Sequence, residues 1–497
     1  MLQAKPYVFW FITGSQGLYG EDVLLQVEDN SRRIVEELNR EGGLPYPIEF
    51  RDTVTSPEAI LRVCLEANAS GTCAGVITWM HTFSPAKMWI SGLTRLSKPL
   101  LHLHTQYNDL IPWDSIDMEF MNLNQAAHGD REFGFIGARL RLARKIIAGH
   151  WKDERVRARI GEWMKTAAGY TESQTMRIAR FGDNMRDVAV TEGDKVEAQI
   201  KLGWTVNGYP AGDLAERVRS VGEAKLRTLM DEYAEVYDFT DQGRLEGAER
   251  EAIREQARME IALREFLEEG GYTAFVTSFQ DLHGLKQLPG LAAQRLMAAG
   301  YGFGGEGDWK TAAMVRMMKV MAGNQGTSFM EDYTYHLQQG NEMVLGSHML
   351  EICPSLAADR PRIEVHPLFV GGKEAPARLI FNGAGGPGIN ATLVDMGDRF
   401  RLIVNEVNAV RNEHSMPHLP VARLLWQPQP SLTGASEAWI LAGGAHHFAF
   451  SFHTTSEQLR DWARMAGIEC LVIDASSTFT SLENELRWND LYYRLNH

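Results

Sequence analysis

The sequence predicts an α/β protein in which two doubly wound α/β domains are followed by a mostly β domain. In the first part of the chain, short apolar runs alternate with amphipathic stretches, which is typical of βαβ units on a parallel sheet. From about Thr327, strand-like runs follow one another with Gly, Asn and Asp between them. The chain has 497 residues, enough for about three domains. We predict them over residues 1–175, 176–326 and 327–497.

The first predicted domain opens with the apolar run "YVFWFIT". We interpret this run as a buried strand, because it lacks the basic leader and the cleavage site of a signal peptide. The helix-like "DVLLQVEDNSRRIVEELN" comes next, and the runs "CAGVITWM", "PLLHLHT" and "GARLRLARKIIAGHW" continue the alternation. This pattern predicts a Rossmann-like parallel sheet.

The second predicted domain repeats the theme with "MRIARFG", one helix over "AGDLAERVRSVGEAKLRTLMDEYAEV", and the strand-like "YTAFVTSF". Between the last two lies the charged stretch "RLEGAEREAIREQARMEIALREFLEE". We interpret it as a helix with a solvated face, because apolar residues still mark its other side. Those residues are Ile253, Ala257, Ile261, Leu263 and Phe266.

The third predicted domain contains the strand-like runs "RIEVHPL", "ARLIFNG", "ATLVDMGDRFRLIVNEV" and "WILAGGAHHFAFSF". Met396-Gly397-Asp398 falls between two of these runs and predicts a hairpin turn. The helix-like "SEQLRDWARMAG" and the strand-like "IECLVID" complete the domain.

Composition and charge exclude two classes of partner. Apolar residues make up 44% and charged residues 23% of the chain, and no apolar stretch approaches the ~20 residues that span a bilayer. The net charge is −14 and no basic tract is present to neutralise phosphates. We therefore expect neither a membrane nor a nucleic acid as partner. Four cysteines without a C-x-x-C pair predict no thiolate metal site and favour a reducing cytoplasm.

One loop and two pairs of carboxylates are candidates for a site. The loop Gly14–Gly17 follows the first strand, where open α/β sheets bind ligands, but it lacks a nucleotide motif and a tight turn explains it equally well. Glu306 and Asp308 stand in the glycine-rich "GYGFGGEGDWKTAA", either near a ligand or as helix caps. Glu331 and Asp332 stand among aromatic residues in "TSFMEDYTYH", which is either a buried functional segment or an exposed loop.

Histidines supply the other candidates. His348 interrupts the run "VLGSHMLEICPS" and is either a ligand or a core histidine. His446 and His447 are adjacent in "GGAHH", and on a strand only one of the two side chains can face a given site. Two carboxylates and two imidazoles together suit Mn²⁺, Co²⁺, Fe²⁺ or Mg²⁺ better than a soft metal.

The stretches "GSQGLYG", "GDWKTAA", "GTSFMEDYTYH", "GSHMLEICPS" and "GGAHH" occur in this order and, together, resemble the L-arabinose isomerase family. The resemblance covers nearly the whole chain. It implies a fucose isomerase-like architecture and conversion of L-arabinose to L-ribulose through an enediol, with D-galactose to D-tagatose as a second reaction. It also implies a cytoplasmic homohexamer with an active site shared between chains.

The same resemblance implies roles for individual residues. Glu306, Glu331, His348 and His447 would bind one Mn²⁺ per subunit, with Co²⁺ or another divalent ion as an alternative, and His446 would point away. Glu306 and Glu331 would also be the catalytic base and acid. The positions that would contact the sugar are Gln16, Leu18, Tyr19, Met185, Phe279 and Tyr333, with Phe83, Gln125 and His128 from a neighbouring subunit.

Three positions depart from the family pattern, namely His283, Val370 and Phe448. The implied ligands are unchanged, so we expect the departures to affect the preference among sugars rather than the reaction. Two other classes of protein remain open. A metal-dependent hydrolase acting on a sugar-like substrate could use the same Glu and His set to activate water. A sugar-binding protein without activity would need no metal.

Overall fold

The computed structural model describes residues 2, 5–41, 43–244, 246–368 and 372–495. The chain forms two compact units, which divide between Thr171 and Glu172, with Leu2 belonging to the second unit. The three domains proposed from the sequence stay a prediction, because two compact units do not decide among finer divisions.

The first unit is a parallel sheet. Its strands are β1 (Val8–Gly14), β2 (Ile48–Val54), β3 (Cys73–Met80), β4 (Leu100–His104) and β5 (Arg144–Ala148), in the order β2-β1-β3-β4-β5. All neighbouring pairs are parallel, as the alternating pattern predicts. Every residue of β3 is buried, which is typical of a parallel strand covered on both faces.

Helices connect these strands and supply the rest of the core. They are α1 (Glu21–Arg40), α2 (Pro57–Ala69), α3 (Ile90–Leu93), α4 (Met118–Leu123), α5 (Ala126–Arg139) and α6 (Glu154–Ser173). Trp89 and Phe133 pack edge to face with ring centroids 4.9 Å apart. This contact connects α5 to the segment before α3, and both residues belong to a core cluster that also contains residues of β1 and β3.

The second unit begins with another parallel sheet. It contains β6 (Arg177–Phe181), β7 (Thr205–Tyr209), β9 (Ala274–Thr277) and β10 (Gly302–Gly304) in the order β10-β9-β6-β7, while β8 (Asp238–Phe239) pairs elsewhere. The helices are α7 (Lys195–Leu202), α8 (Ala211–Ser220), α9 (Glu223–Val236), α10 (Asp241–Arg244), α11 (Ala248–Gly270), α12 (Gly290–Ala298) and α13 (Trp309–Met321). The predicted parallel arrangement is confirmed here as well.

Two details of this region differ from the prediction. The single helix expected over 211–236 is two helices, α8 and α9, because Val221 and Gly222 adopt extended backbone conformations and both are weak helix formers. The charged helix α11 is not solvated along its whole charged side. Glu260 is fully buried and accepts hydrogen bonds from Tyr233 and Arg295, at 2.7 Å and 3.2 Å.

The C-terminal part of the second unit is built on a closed sheet. Its strands are β11 (Thr327–His336), β12 (Met343–Ser347), β15 (Gly386–Asp395), β16 (Phe400–Val410), β17 (Arg423–Pro428), β18 (His447–Ser451) and β19 (Glu469–Ile473). They lie in the order β15-β18-β11-β12-β17-β16-β19. Because β15 also pairs with β16, all of them except β19 form a closed ring. The predicted hairpin turn at Met396–Asp398 is confirmed, since it joins β15 to β16.

The remaining elements flank the closed sheet. A small sheet contains β13 (Arg362–Val365), β14 (Ala377–Ile380) and β8, and the helices are α14 (Leu432–Leu441), α15 (Ser456–Ala466) and α16 (Phe479–Leu495). Inside the ring, Met330, Trp426, Phe448 and Phe450 belong to one buried apolar cluster.

Among the described residues, no helix combines the length and the apolar character needed to cross a membrane.

Gly346 in β12 allows the ring to pack around Trp426. A Cβ at position 346 would lie 1.8 Å from Cζ3 of Trp426. We expect Gly346→Ala to lower the free energy of unfolding by ~1–3 kcal/mol, because the indole must move to admit the methyl group. The urea midpoint of the transition measures this. Gly212→Ala in α8 is the control, because its added methyl meets no atom within 4 Å; equal midpoints for the two variants would contradict the packing argument.

Candidate metal centre

Three predicted site residues follow the carboxyl ends of neighbouring parallel strands. Met185 follows β6, Phe279 follows β9 and Glu306 follows β10, and these strands are adjacent in the order β10-β9-β6. Open α/β sheets bind ligands beyond the carboxyl ends of their strands. The sheet therefore brings these three residues to the same edge.

The loop that carries Glu306 is held in an unusual conformation. Glu306 has φ of 56° and Gly307 has φ of 78°. A residue other than glycine pays a conformational cost there, and such residues cluster at functional sites. The N–H of Met185 donates to the carbonyl of Glu306 at 2.9 Å, and the N–H of Gly307 donates to the carbonyl of Thr277 at 3.0 Å. A Cβ on Gly307 would lie 2.7 Å from Cα of Asn184, so this position has no room for a side chain.

Asp308 begins helix α13. Its carboxylate accepts a hydrogen bond from the hydroxyl of Thr311 at 2.8 Å and lies 3.3 Å from Nζ of Lys310. The alternative that we left open for Asp308, a helix cap, is confirmed. Burial alone would raise the pKa of Asp308, but Lys310 and His447 lower it well below its ordinary range. The carboxylate is therefore charged.

The register of the closed sheet places Glu331 between two other candidates. Glu331 in β11 is paired with His447 in β18 and with Ser347 in β12, the residue before His348. The segment "TSFMEDYTYH" is thus a strand rather than an exposed loop, and Glu331 itself is half-buried.

The two buried imidazoles pack against Phe329. The ring centroid of Phe329 lies 5.0 Å from that of His348 and 5.0 Å from that of His447. Nδ1 of His348 is hydrogen-bonded to Glu351, which leaves Nε2 as the nitrogen that can bind a ligand. Burial alone would lower the pKa of His348, but Glu351 raises it to about 9 with a further contribution from Glu331. Glu351 was missed by the sequence analysis, although it stands only three residues after His348.

Glu306, His446 and His447 form the group that fits a metal ion among the described residues. Their ligand atoms all lie within 4.8 Å of one another. Oε2 of Glu306 is 3.5 Å from Nε2 of His446 and 4.0 Å from Nε2 of His447. Burial alone would raise the pKa of Glu306, but its contacts with His446 and His447 lower it below the ordinary value.

The expectation that His446 points away is wrong. Strand β18 begins at His447, so His446 precedes the strand and the alternation of side chains does not apply to it. Both imidazoles approach Glu306, with their ring centroids 4.3 Å apart.

Unpartnered buried atoms show that these residues suit a cation. His447 is fully buried. Its Nδ1 lies 3.5 Å from Oδ2 of Asp308, whereas its Nε2, on the side of Glu306, makes no hydrogen bond among the described residues. The same holds for Oε2 of Glu306. A buried polar atom without a partner is costly, and a divalent ion bound by carboxylate oxygen and imidazole nitrogen would supply one. Glu331 and His348 lie outside the three-residue group, so the predicted four-ligand set stays a prediction.

The other predicted sugar contacts fall in both units. In the second unit, Tyr333 is 52% exposed and stands at a bulge, where the register of β11 against β12 shifts. Bulges of this kind redirect side chains near active sites. Phe279 is half-buried.

In the first unit, Gln16 precedes a short 3-10 helix over Gly17–Tyr19, and Leu18 is 84% exposed. The hydroxyl of Tyr19 donates to Oε1 of Gln125 at 3.5 Å. The rings of Phe83 and His128 meet edge to face with centroids 4.8 Å apart. The resemblance assigns Tyr19 and Gln125 to different subunits around one site. In this structure the two residues also contact each other within one chain. At the start of this loop, a Cβ on Gly14 would lie 2.4 Å from the sulfur of Met80, so this position requires glycine for packing, and both interpretations of the loop stay open.

The three departures from the family pattern have different surroundings. His283 is exposed. Phe448 is buried, with its ring centroid 6.0 Å from that of Trp426. Val370 lies outside the described residues.

Three family models match the chain: the L-arabinose isomerase N-terminal domain over residues 3–175, the central domain over 177–324 and the C-terminal domain over 326–469. The chain is 66% identical to an L-arabinose isomerase of Geobacillus stearothermophilus, over 99% of this chain and 100% of the relative. It is 61% identical to that of Halalkalibacterium halodurans and 58% identical to that of Bacillus subtilis, over the full length of all three chains. The chain belongs to the L-arabinose isomerase family.

Proposed function

We propose that the protein is a metal-dependent aldose–ketose isomerase that interconverts L-arabinose and L-ribulose. Its membership of the family supports the reaction. The observation that supports the site is the buried His447, whose Nε2 lies beside Glu306 without a hydrogen bond among the described residues, with Glu331 on the strand paired to His447. Nothing in the comparisons favours the alternative of a metal-dependent hydrolase.

Two carboxylates suffice for the proton transfers of this reaction. The proton on C2 of the aldose moves to C1, and the hydroxyl proton on O2 moves to O1, so no atom is gained or lost. One of Glu306 and Glu331 takes the C2 proton and later returns it to C1, while the other gives a proton to O1 and recovers the proton of O2, so the reaction passes through a cis-enediol and both carboxyl groups end as they began. Contacts with His446 and His447 lower the pKa of Glu306 against the effect of burial and so favour its ionised form.

Glu306, Glu331, His348 and His447 would hold one divalent ion, for which we propose Mn²⁺, with Co²⁺ as an alternative. The ion, when bound, polarises the carbonyl and makes the C2 proton acidic enough for a carboxylate to remove. The protein residues hold the ion and the proton-transfer groups in place. The contact of His446 with Glu306 makes His446 a further candidate ligand or a residue that positions Glu306.

The proposed sugar contacts are Gln16, Leu18, Tyr19, Met185, Phe279 and Tyr333, with Phe83, Gln125 and His128 of a second subunit. L-arabinose and D-galactose share their configuration at C2, C3 and C4, so we also propose conversion of D-galactose to D-tagatose. A pocket that differs by a methylene-sized group discriminates by only ~1–3 kcal/mol.

We propose a cytoplasmic homohexamer whose three-domain chains share their active sites. Exposed apolar side chains in the segment from Leu110 to Met121 support an interface with another copy. They are Leu110, Ile111, Trp113, Ile116, Met118 and Met121, and Trp113 is 78% exposed. The absence of a disulfide among the four cysteines agrees with a reducing compartment. A monomer in sedimentation experiments would contradict the shared site.

Replacing either carboxylate should stop the reaction without unfolding the chain. We expect Glu306→Gln and Glu331→Gln each to lower kcat by at least ~10²–10⁴-fold, because an amide cannot exchange the proton. L-ribulose formation with Mn²⁺ in excess measures this, and circular dichroism checks the fold. Glu342→Gln is a matched control, since Glu342 lies in the turn between β11 and β12. Near-normal turnover in either carboxylate variant would refute its role.

The two adjacent histidines should differ in their effect on metal binding. His447→Asn removes a fully buried imidazole whose Nε2 makes no hydrogen bond among the described residues, so we expect Mn²⁺ affinity to fall by ~10–100-fold or more. The side chain of His446 is 36% exposed, and we expect His446→Asn to lower the affinity less. Mn²⁺ titration followed by electron paramagnetic resonance measures both constants. A larger loss of Mn²⁺ affinity in His446→Asn than in His447→Asn would make His446, rather than His447, the more important metal ligand.

A further inference from the structure

A buried carboxylate in the first unit joins helix α5 to strand β4. Asp130 in α5 is only 4% exposed. His102 and His104 are two residues apart in β4, so their side chains lie on the same face of the sheet. Oδ1 of Asp130 lies 2.7 Å from Nε2 of His102, and Oδ2 of Asp130 lies 2.6 Å from Nδ1 of His104. Both oxygens of this carboxylate are therefore bonded to one strand.

The arrangement suits a charged carboxylate. An ionised carboxylate accepts hydrogen bonds through both oxygens, as Asp130 does here, so each imidazole donates an N–H to it. The hydrogen bond with Asp130 raises the pKa of His104 above its ordinary value, although burial and Arg131 oppose this. Removal of one partner from a buried, charged contact leaves the other partner uncompensated and is strongly destabilising. Helix α5 is thus held to β4 by a contact that is costly to break.

Close packing on either side of Asp130 restricts the helix further. Phe133, one turn later in α5, packs edge to face on His102 with ring centroids 4.9 Å apart. A Cβ on Gly129 would lie 2.7 Å from the carbonyl oxygen of Thr82, so the helix backbone closely approaches the segment that follows β3. The beginning of α5 is therefore fixed against both β4 and the end of β3.

The same part of the helix carries two of the proposed sugar contacts. Gln125 is the residue before α5, and His128 lies two residues before Asp130. The N–H of Gln125 donates to the carbonyl of His81 at 3.0 Å, and the N–H of His128 donates to the carbonyl of Gln125 at 3.0 Å. His128 is itself exposed. Its position therefore depends on the backbone of α5, which Asp130 holds, more than on burial of its own ring.

We propose that Asp130 is a positioning residue, which acts through α5 on the sugar contacts Gln125 and His128 that one subunit donates to its neighbour. This inference rests on the proposed function and adds the group that holds the donated contacts in place. Glu306 and Glu331 belong to the second unit, whereas Asp130 belongs to the first. A change at Asp130 therefore leaves the proton-transfer groups of its own chain intact and weakens sugar binding in the adjoining subunit.

The first test compares KM with kcat for L-ribulose formation at saturating Mn²⁺. We expect Asp130→Ala to raise KM for L-arabinose about tenfold and to leave kcat within about twofold, because a binding contact is displaced and the proton-transfer groups are not. Asp130→Asn keeps the shape and one acceptor oxygen, so its KM should be intermediate. Glu132→Gln is the matched control, because Glu132 lies two residues later in α5, about 200° around the helix from Asp130. A lower kcat at unchanged KM, or unchanged KM, would overturn the proposal.

Mixed oligomers test whether Asp130 acts on the neighbouring subunit. Chains with Asp130→Ala and chains with Glu306→Gln are co-expressed with different affinity tags and purified as hybrids. In a hybrid, the first chain supplies intact carboxylates and the second supplies an intact α5. At L-arabinose far below KM, we expect hybrids to exceed the mean rate of the two parent proteins about fivefold, given random mixing and a tenfold effect on KM. A rate equal to that mean would show that Asp130 acts only within its own chain and would overturn the proposal.

Hydrogen–deuterium exchange tests the attachment of α5 without turnover. In the metal-free, full-length protein we expect faster exchange over residues 126–139 in Asp130→Ala than in the wild type and Glu132→Gln, with α6 unchanged. Equal exchange over α5 would contradict the attachment even if KM rose. Asp130→Asn takes the place of Asp130→Ala in all three measurements if the alanine variant does not fold. If the wild type converts no sugar, the proposed isomerisation fails, and the exchange result still decides whether Asp130 holds α5.

Discussion

The antiparallel register of β11 between β12 and β18 is the constraint on which the candidate site depends. It sets Glu331 opposite His447 on one side and opposite Ser347, next to His348, on the other. A slip of one residue would exchange the two faces of β11 and turn Glu331 into the closed sheet. The buried apolar cluster inside the ring opposes such a slip, because Met330 would then leave it. Packing on one face of the strand thus fixes the chemistry on the other.

The site combines two features that cost stability. Glu306 adopts a left-handed backbone conformation, and buried atoms of Glu306 and His447 have no hydrogen-bond partner. Strain of this kind costs on the order of 1–3 kcal/mol, and an unsatisfied buried polar group costs a similar amount. Two hydrogen bonds hold this conformation, one from the N–H of Met185 to the carbonyl of Glu306 and one from the N–H of Gly307 to Thr277 at the end of β9. A bound cation would satisfy the open ligand atoms, so the same features that destabilise the chain by itself favour metal binding.

Much of the fold can be predicted from the sequence, because hydrophobic periodicity distinguishes the parallel strands from the helices between them. Closure of the last sheet cannot be predicted in this way, since β18 pairs with β15 and with β11, and these strands are distant in the sequence. Gly222 is a local sign of the break between α8 and α9, but the helical pattern of the surrounding residues obscures it. The approach of His446 to Glu306 depends on where β18 begins, and boundaries of elements are the least predictable feature of a sequence. The bulge at Tyr333 likewise arises from pairing with β12.

If this chain isomerises L-arabinose with the help of a divalent ion, ketose formation must depend on that ion. The most direct measurement is ketose formation from L-arabinose by protein stripped with EDTA, before and after Mn²⁺ is added, with D-galactose, L-fucose and D-xylose as comparison substrates. We predict L-ribulose only when Mn²⁺ is present, slower formation of D-tagatose, and little product from D-xylose. Full activity of the stripped protein would contradict the role of the metal, and no turnover of any sugar despite bound Mn²⁺ would contradict the proposed reaction.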